Sequence, residues 1–316
     1  MCGNESRLGP AVRRSTGGAQ ATGLWRYPVG VPEANALKTL IAQKRTVVIA
    51  AGSAVVLLAV LATCALQQDS DPAPAGKPVA APTESIVPAP PVPPGLEKVA
   101  YEKFQTGWSA DPAPTRIDGI SEGVHPKKPV AMYDKIGGKA RAMADPEIAR
   151  GHELVMPVVE RKNGWVAVLV PSANRSIAWI FDNGDLEKRK LEDHIVIYKK
   201  AHKLVWYKND KEQQSWQVTL GAKNTPTPLG RSYVLAQSAL QGKVYAGEPV
   251  MALSSVPDDP KSVPTALAGA HTGIHTWWKD DNLGKDVSDG CIRLTKKGHQ
   301  LLLREIEAGT PVTVLP

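Results

Sequence analysis

Twenty-one consecutive residues, Thr46 to Leu66, carry no charge at all. Valine, leucine, isoleucine and alanine fill most of that run. A helix rising about 1.5 Å per residue would carry it across a hydrocarbon layer of roughly 30 Å. No charged residue interrupts any face, so the run does not read as an amphipathic helix on a soluble core. Lys44 and Arg45 abut its start, and Asp69 and Asp71 follow its end. That asymmetry predicts residues 1–45 as a cytoplasmic basic tail, 46–66 as a transmembrane signal anchor, and the remainder outside the cytoplasm.

The formal charge of +7 over 316 residues invites a nucleic-acid reading, but its distribution argues against one. Residues 1–45 hold seven basic and two acidic side chains, a net +5, which leaves +2 for everything after them. The excess sits beside the apolar run, where membrane topology accounts for it. Cys64 offers a second reading of the anchor. Leu61-Ala62-Thr63-Cys64 resembles a lipoprotein cleavage box, which would place a lipid on Cys64. Both readings tether the chain to a membrane.

From 67 to 123 the composition turns to proline and alanine, as in Pro88-Ala89-Pro90-Pro91-Val92-Pro93-Pro94. Such a segment favours an extended spacer, although Tyr101, Phe104 and Trp108 toward its end are able to pack on a domain. From 124 to 185, short β patterns alternate with turns. They are Pro129–Tyr133, Glu153–Val159, Trp165–Val170 and Ile177–Ile180, with Arg161-Lys162-Asn163-Gly164 as a hairpin turn. Four such strands predict a small β-barrel. Their order resembles bacterial Src-homology-3-like modules, which implies a wall-binding or positioning role. The plain alternative is a packing domain with Trp165 and Trp179 as core.

The β pattern continues through His194–Tyr198, Lys203–Tyr207, Gln214–Leu220 and Arg231–Ala236. A helix over Lys296–Ala308, stopped by Gly309, and a last strand over Thr310–Leu315 complete a mainly β fold.

Cys291 is the lone cysteine after residue 64. It stands in Val287-Ser288-Asp289-Gly290-Cys291-Ile292-Arg293-Leu294, sixteen residues after His275 in Gly273-Ile274-His275-Thr276. A thiol, an imidazole, a glycine-containing turn and an arginine are the parts of nucleophilic acyl transfer. A free thiol titrates near 8.5, and an adjacent imidazole favours its ionised form. With no second external cysteine, a structural disulfide has no partner. His271 and His275, four apart, also fit a metal site with Cys291, but no second cysteine or helix supports it.

The C-terminal part, 190–316, resembles the L,D-transpeptidase (YkuD-type) catalytic domain. The resemblance rests on Gly221 with Thr225-Pro226-Thr227-Pro228-Leu229-Gly230, on Gly273-Ile274-His275, on Ser288-x-Gly290-Cys291-Ile292-Arg293, and on Gly309-Thr310-Pro311-Val312, in that order. It implies a β-sandwich catalytic domain acting on peptidoglycan stem peptides through a cysteine thioester. It also implies Cys291 as nucleophile, His275 as base, no cofactor, and susceptibility to carbapenem-type inhibitors. Ser288, Asp289 and Gly290 would shape the oxyanion turn. Arg293 would meet a substrate carboxylate or hold the loop, and His271 would contact substrate or support the base. Hydrolysis instead of transfer (L,D-carboxypeptidase) and non-catalytic wall binding are the alternatives. Two departures stand out: Asp289 where the family commonly has histidine, and Thr276 where it usually has glycine. A carboxylate beside sulfur opposes its ionisation, so Asp289 is expected to face away, pairing with a base or capping a turn.

Overall fold

The computed structural model describes residues 85–101, 104–148, 151–238, 242–263 and 270–316. The basic tail, the apolar run 46–66 and Cys64 lie outside the described residues. Among those described, no helix is long and apolar enough to cross a membrane.

Ten strands come first: β1 (Ser109–Ala110), β2 (Glu122–Pro126), β3 (Val130–Tyr133), β4 (Ala140–Ala144), β5 (Glu147–Ile148), β6 (His152–Glu153), β7 (Met156–Lys162), β8 (Trp165–Leu169), β9 (Ser176–Phe181) and β10 (Leu186–Lys190). Eight of them form one sheet in the order β10-β2-β7-β8-β9-β3-β4, with β1 on β9 and no ladder joining β4 to β10. The Asn163-Gly164 turn closes the β7–β8 hairpin with both residues at positive φ, 53° and 81°. Both signs match the right-handed twist of the strands they join. Strand β8 is buried at every position, as its unbroken apolar sequence demands. Trp165, 1% exposed, meets Tyr133 and Phe181 edge-on at 5.0 and 5.4 Å. Trp165 and Trp179 are therefore core residues.

The second part of the expected spacer is not free chain. Trp165 Nε1 donates to the Val87 carbonyl at 2.7 Å, and Tyr133 Oη to the Pro90 carbonyl at 3.0 Å. Val99 is buried, and Tyr101 and Trp108 pack on the same core. Buried aromatic donors need acceptors, and the proline-rich segment supplies carbonyls that no ladder consumes.

Strands β11 (Asp193–Tyr198), β12 (Lys203–Lys208), β13 (Lys211–Gln217), β14 (Leu220–Gly221), β15 (Gly230–Ser238), β16 (Val250–Leu253), β17 (Gly273–Thr276), β18 (Asp286–Ser288), β19 (Ile292–Leu294) and β20 (Pro311–Leu315) follow. The second large sheet runs β13-β12-β11-β20-β15-β16-β17-β19, and β14 pairs with β18 in parallel beside it. Helix α1 (Lys296–Glu305) is capped by Thr295, whose hydroxyl accepts the Gly298 N–H at 3.2 Å. The helix ends three residues short of the expected Ala308. Ile306 turns extended and buried, and Gly309, at φ 88°, serves the turn into β20.

Strand β15 belongs to both cores. Tyr233 and Leu235 join the first, and Val234 between them joins the second, as period-two alternation requires. Asp111 then crosses from the first part to meet Arg231 of β15. Arg231 Nε lies 2.8 Å from one carboxylate oxygen, Nη2 bonds the other, and both side chains are at most 4% exposed. Replacing Asp111 with alanine strands a buried guanidinium. The expected loss is about 3–5 kcal/mol in chemical denaturation, and a loss under about 1 kcal/mol would contradict this account.

Candidate active site

Strands β17 and β19 pair in parallel, with Ile274 opposite Ile292 and His275 opposite Arg293. Continued by one residue, that register sets Gly273 beside Cys291. Residues two apart share a face of a strand. Gly273, His275, Cys291 and Arg293 therefore share one face, while Ile274 and Ile292 fill the core with no exposure. An added Cβ on Gly273 would lie 3.9 Å from the Cys291 sulfur and 2.5 Å from Val250. Only glycine leaves that place open. Hydrogen bonds from Leu253 N–H to the Thr272 carbonyl and from Thr272 N–H to the Ser255 carbonyl carry the pairing back past β17. By alternation, His271 follows Gly273 and His275 onto the same face, partly exposed.

His275 is 2% exposed, and its Nδ1 lies 2.6 Å from the Thr276 carbonyl oxygen. A carbonyl only accepts, so Nδ1 carries the proton and Nε2 keeps its lone pair. Tyr245 stands edge-on to the imidazole at 4.9 Å. Burial pushes the His275 pKa down to about 4, the Thr276 hydrogen bond opposes this, and the positive charge of Arg293 adds to it, as would a charged His299. Burial also pushes the Cys291 thiol up. The Gly273 backbone hydrogen bond and Arg293 pull it back, and Asp289 pushes it up again. Both shifts favour the neutral forms, thiol and imidazole. Burial penalises both charges and so works against the ionised thiol that an adjacent imidazole would favour.

The turn that carries the thiol has no regular structure of its own and is held from outside. Ser288 Oγ donates to the Cys291 carbonyl at 2.6 Å. Thr225 Oγ1 donates to the Ser288 carbonyl and Thr227 Oγ1 to the Gly290 carbonyl, both at 2.9 Å. Gly221 N–H in turn donates to Thr227 Oγ1 at 2.9 Å. A Cβ on Gly221 would collide with the Thr225 carbonyl at 2.2 Å, so this close approach needs glycine. Gly290 adopts φ 101°, which strains any other residue. Among the described residues, no group accepts the backbone N–H of Asp289, Gly290 or Cys291. Asp289 is exposed and forms no ion pair or turn cap among the described residues, contrary to the expected pairing. It lines a cleft beside the turn with Gly290, Thr272, the 224–228 loop and residues 257–263.

Arg293 is half-buried. Its guanidinium carbon lies 3.7 Å from the Trp277 ring centre, its Nε is buried without a hydrogen-bond partner, and no carboxylate pairs with it among the described residues. Thr219 and Arg293 exchange two backbone hydrogen bonds, at 2.8 and 3.0 Å, which fix that strand. Sequence reasoning named the Thr225–Gly230 loop without a role for its hydroxyls and missed Tyr245. That tyrosine sits in a short 3-10 turn, Lys243–Tyr245, which has no periodic signature. No three His, Cys, Asp or Glu side chains converge to hold a metal ion among the described residues.

Two measurements test this geometry. Alkylation of Cys291 by iodoacetamide should climb with pH beyond the ordinary thiol range near ~8.5, because only the thiolate reacts and burial delays its formation; a rate already level between pH 6 and 7 would refute the neutral pair. Thr227→Val strands the Gly221 N–H and the Gly290 carbonyl, at a cost of about 1–3 kcal/mol in denaturant unfolding. It should also slow that alkylation.

Comparison with known proteins finds similarity over the C-terminal part of the chain. Residues 192–314, less than half of the chain, match the family model of the L,D-transpeptidase catalytic domain, YkuD. A Bacillus subtilis (strain 168) protein named as a candidate L,D-transpeptidase, YkuD, is 26% identical over 121 residues, covering 38% of this chain and 65% of the relative. The chain thus spans just under two thirds of that relative. Among solved structures, an L,D-transpeptidase from Mycobacterium smegmatis is 15% identical, covers 67% of this chain and 100% of its own, and superposes with a TM-score of 0.35. The catalytic domain of an E. faecium L,D-transpeptidase is 26% identical, with 39% and 95% covered and a TM-score of 0.29. Superpositions that loose carry no argument; the sequence match does. By sequence, residues 192–314 are similar to the YkuD-type L,D-transpeptidase catalytic domain.

Proposed function

We propose that this chain is a peptidoglycan L,D-transpeptidase that works through a thioester on Cys291. The observation that carries the reading is the shared strand face of His275 and Cys291 inside the matched segment. In the first half-reaction the Cys291 thiol passes its proton to His275 Nε2 as sulfur attacks the carbonyl before a terminal D-alanine. The free N–H groups of Asp289, Gly290 and Cys291 are the available donors to the oxyanion. D-alanine leaves with the proton held by His275, and an acyl thioester remains. In the second, the amine of another stem peptide gives its proton to His275 and attacks the thioester. The cross-link forms and the thiol is regenerated. Because the pair starts neutral, His275 acts as a general base during attack, not as the partner of a standing ion pair.

Arg293, a cation without a carboxylate partner among the described residues, is suited to a stem-peptide carboxylate. Water in place of the amine would make the same site an L,D-carboxypeptidase. Residues 46–66 would anchor the chain, or Cys64 would carry a lipid, with the catalytic part outside the cytoplasm. The first sheet includes the segment read as a Src-homology-3-like module, and its role would be to position the catalytic part or hold cell wall.

Related L,D-transpeptidases have been solved with imipenem and as an avibactam carbamoyl enzyme. Intact-mass analysis of the full chain with a tetrapeptide muropeptide should show an acyl adduct at Cys291 and then cross-linked dimers. Imipenem should form a stable adduct, and Cys291→Ala should abolish both. Trimmed monomers without dimers would favour the carboxypeptidase, and no adduct from either reagent would leave a non-catalytic wall-binding protein.

A further inference from the structure

The cleft beside the nucleophile turn has walls from two chain segments, the 224–228 loop and residues 257–263. Neither segment is regular structure, and both are held by one turn of the first sheet, Pro171–Arg175, between β8 and β9. Arg175 Nη1 donates to the Leu229 carbonyl at 3.0 Å, at the end of the first wall. The same guanidinium grips Asp258 in the second wall, at 2.6 Å from Nη2 and 3.3 Å from Nη1. Asn174 meets the second wall as a strand partner would. Its Nδ2 donates to the Val256 carbonyl at 2.6 Å, and its Oδ1 accepts the Val256 N–H at 3.1 Å. Ser172 N–H donates to the Ser254 carbonyl at 2.8 Å.

The turn is built for this contact. Ser172 and Arg175 both adopt left-handed backbone, φ 59° and 56°, which non-glycine residues take only when their surroundings impose it. The Arg175 carbonyl accepts the Asp111 N–H at 2.8 Å, and Asp111 is the residue that holds Arg231 beside Gly230. A Cβ on Gly230 would meet Arg175 Cγ at 2.7 Å, so the arginine lies against the backbone where the first wall ends.

We infer that the Asn174–Arg175 turn is a brace that sets the separation of the two cleft walls, so that the first sheet is a positioning part of the substrate site. The inference rests on the cleft being the substrate cleft of the proposed reaction. The ion pair to Asp258 is partly exposed and contributes little as charge alone. Its value is geometric: a planar fork with fixed donors ties two segments to one point, and an ångström of misplacement in a substrate-binding wall slows reaction strongly.

The test uses the full chain and Arg175→Ala, with two readouts that depend on different things. Iodoacetamide alkylation of Cys291 needs the thiol but no cleft, and should stay near the wild-type rate. KM for tetrapeptide muropeptide should rise roughly tenfold while kcat falls less. Amide exchange should quicken in both walls together, around Leu229 and at Val256. Asp258→Asn, which loosens the second wall but leaves the Asn174–Val256 and Leu229 contacts, should raise KM less than Arg175→Ala. An unchanged KM in Arg175→Ala, or faster exchange in one wall only, overturns the brace. If Arg175→Ala does not fold, Asn174→Ala and Asp258→Asn carry the test, and no rise in KM in either overturns it. A wild-type chain that never turns over tetrapeptide sinks the proposed function instead, and exchange of the two walls then decides the brace by itself.

Discussion

The parallel ladder between Gly273–Thr276 and Ile292–Leu294 is the constraint on which the site depends. Its register aligns a side-chain-free residue with the thiol and an arginine with the imidazole. A slip of one residue would turn Cys291 into the core and bring Ile292 out. The core prevents that slip, because Ile274, Ile292 and Leu294 are at most 1% exposed. Strand β19 is three residues long and lies at the sheet edge, so its own ladder is a weak hold. The backbone exchange with Thr219 on its other side completes it.

The chemistry follows from what that burial does to charge. His275 is buried and Cys291 partly so, and each is driven toward its neutral form. Arg293 is the nearby cation that favours thiolate, and Asp289 partly cancels it. In the proposed reaction, nucleophilicity would arise as substrate arrives, through proton transfer to a histidine whose tautomer the Thr276 carbonyl has already selected.

The two sheets are less separable than a barrel on a spacer. Strand β15 sends alternate side chains into two cores, and the Asp111–Arg231 pair joins a residue of the expected spacer to that strand. Removing the first sheet would expose Tyr233 and leave Arg231 buried without a countercharge. That interdependence also brings the Asn174–Arg175 turn to the cleft.

Much of the site was legible because its signals are local. Asn163-Gly164 needs positive φ and marks a hairpin by itself. Cys291 beside Gly290, and His275 sixteen residues before it, read as chemistry from residue type and order. Strands β4 and β10 were not legible: Ala-Arg-Ala-Met-Ala favours helix by propensity, and Leu-Glu-Lys-Arg-Lys has hardly any apolar face. Both are strands because a neighbour offers a ladder, which propensity does not record. Residues 85–94 read as free spacer because proline forbids a core of its own, yet the Val87 and Pro90 carbonyls accept from Trp165 and Tyr133. By itself, then, the amino-acid order determined a mainly β chain with a thiol and an imidazole in a recognisable motif. Which protonation state they hold, which hydroxyls pin the turn and which distant turn braces the cleft were decided only by tertiary structure. Burial, register and contacts between residues some fifty to more than a hundred positions apart are properties of the packed chain, and no local window of sequence contains them.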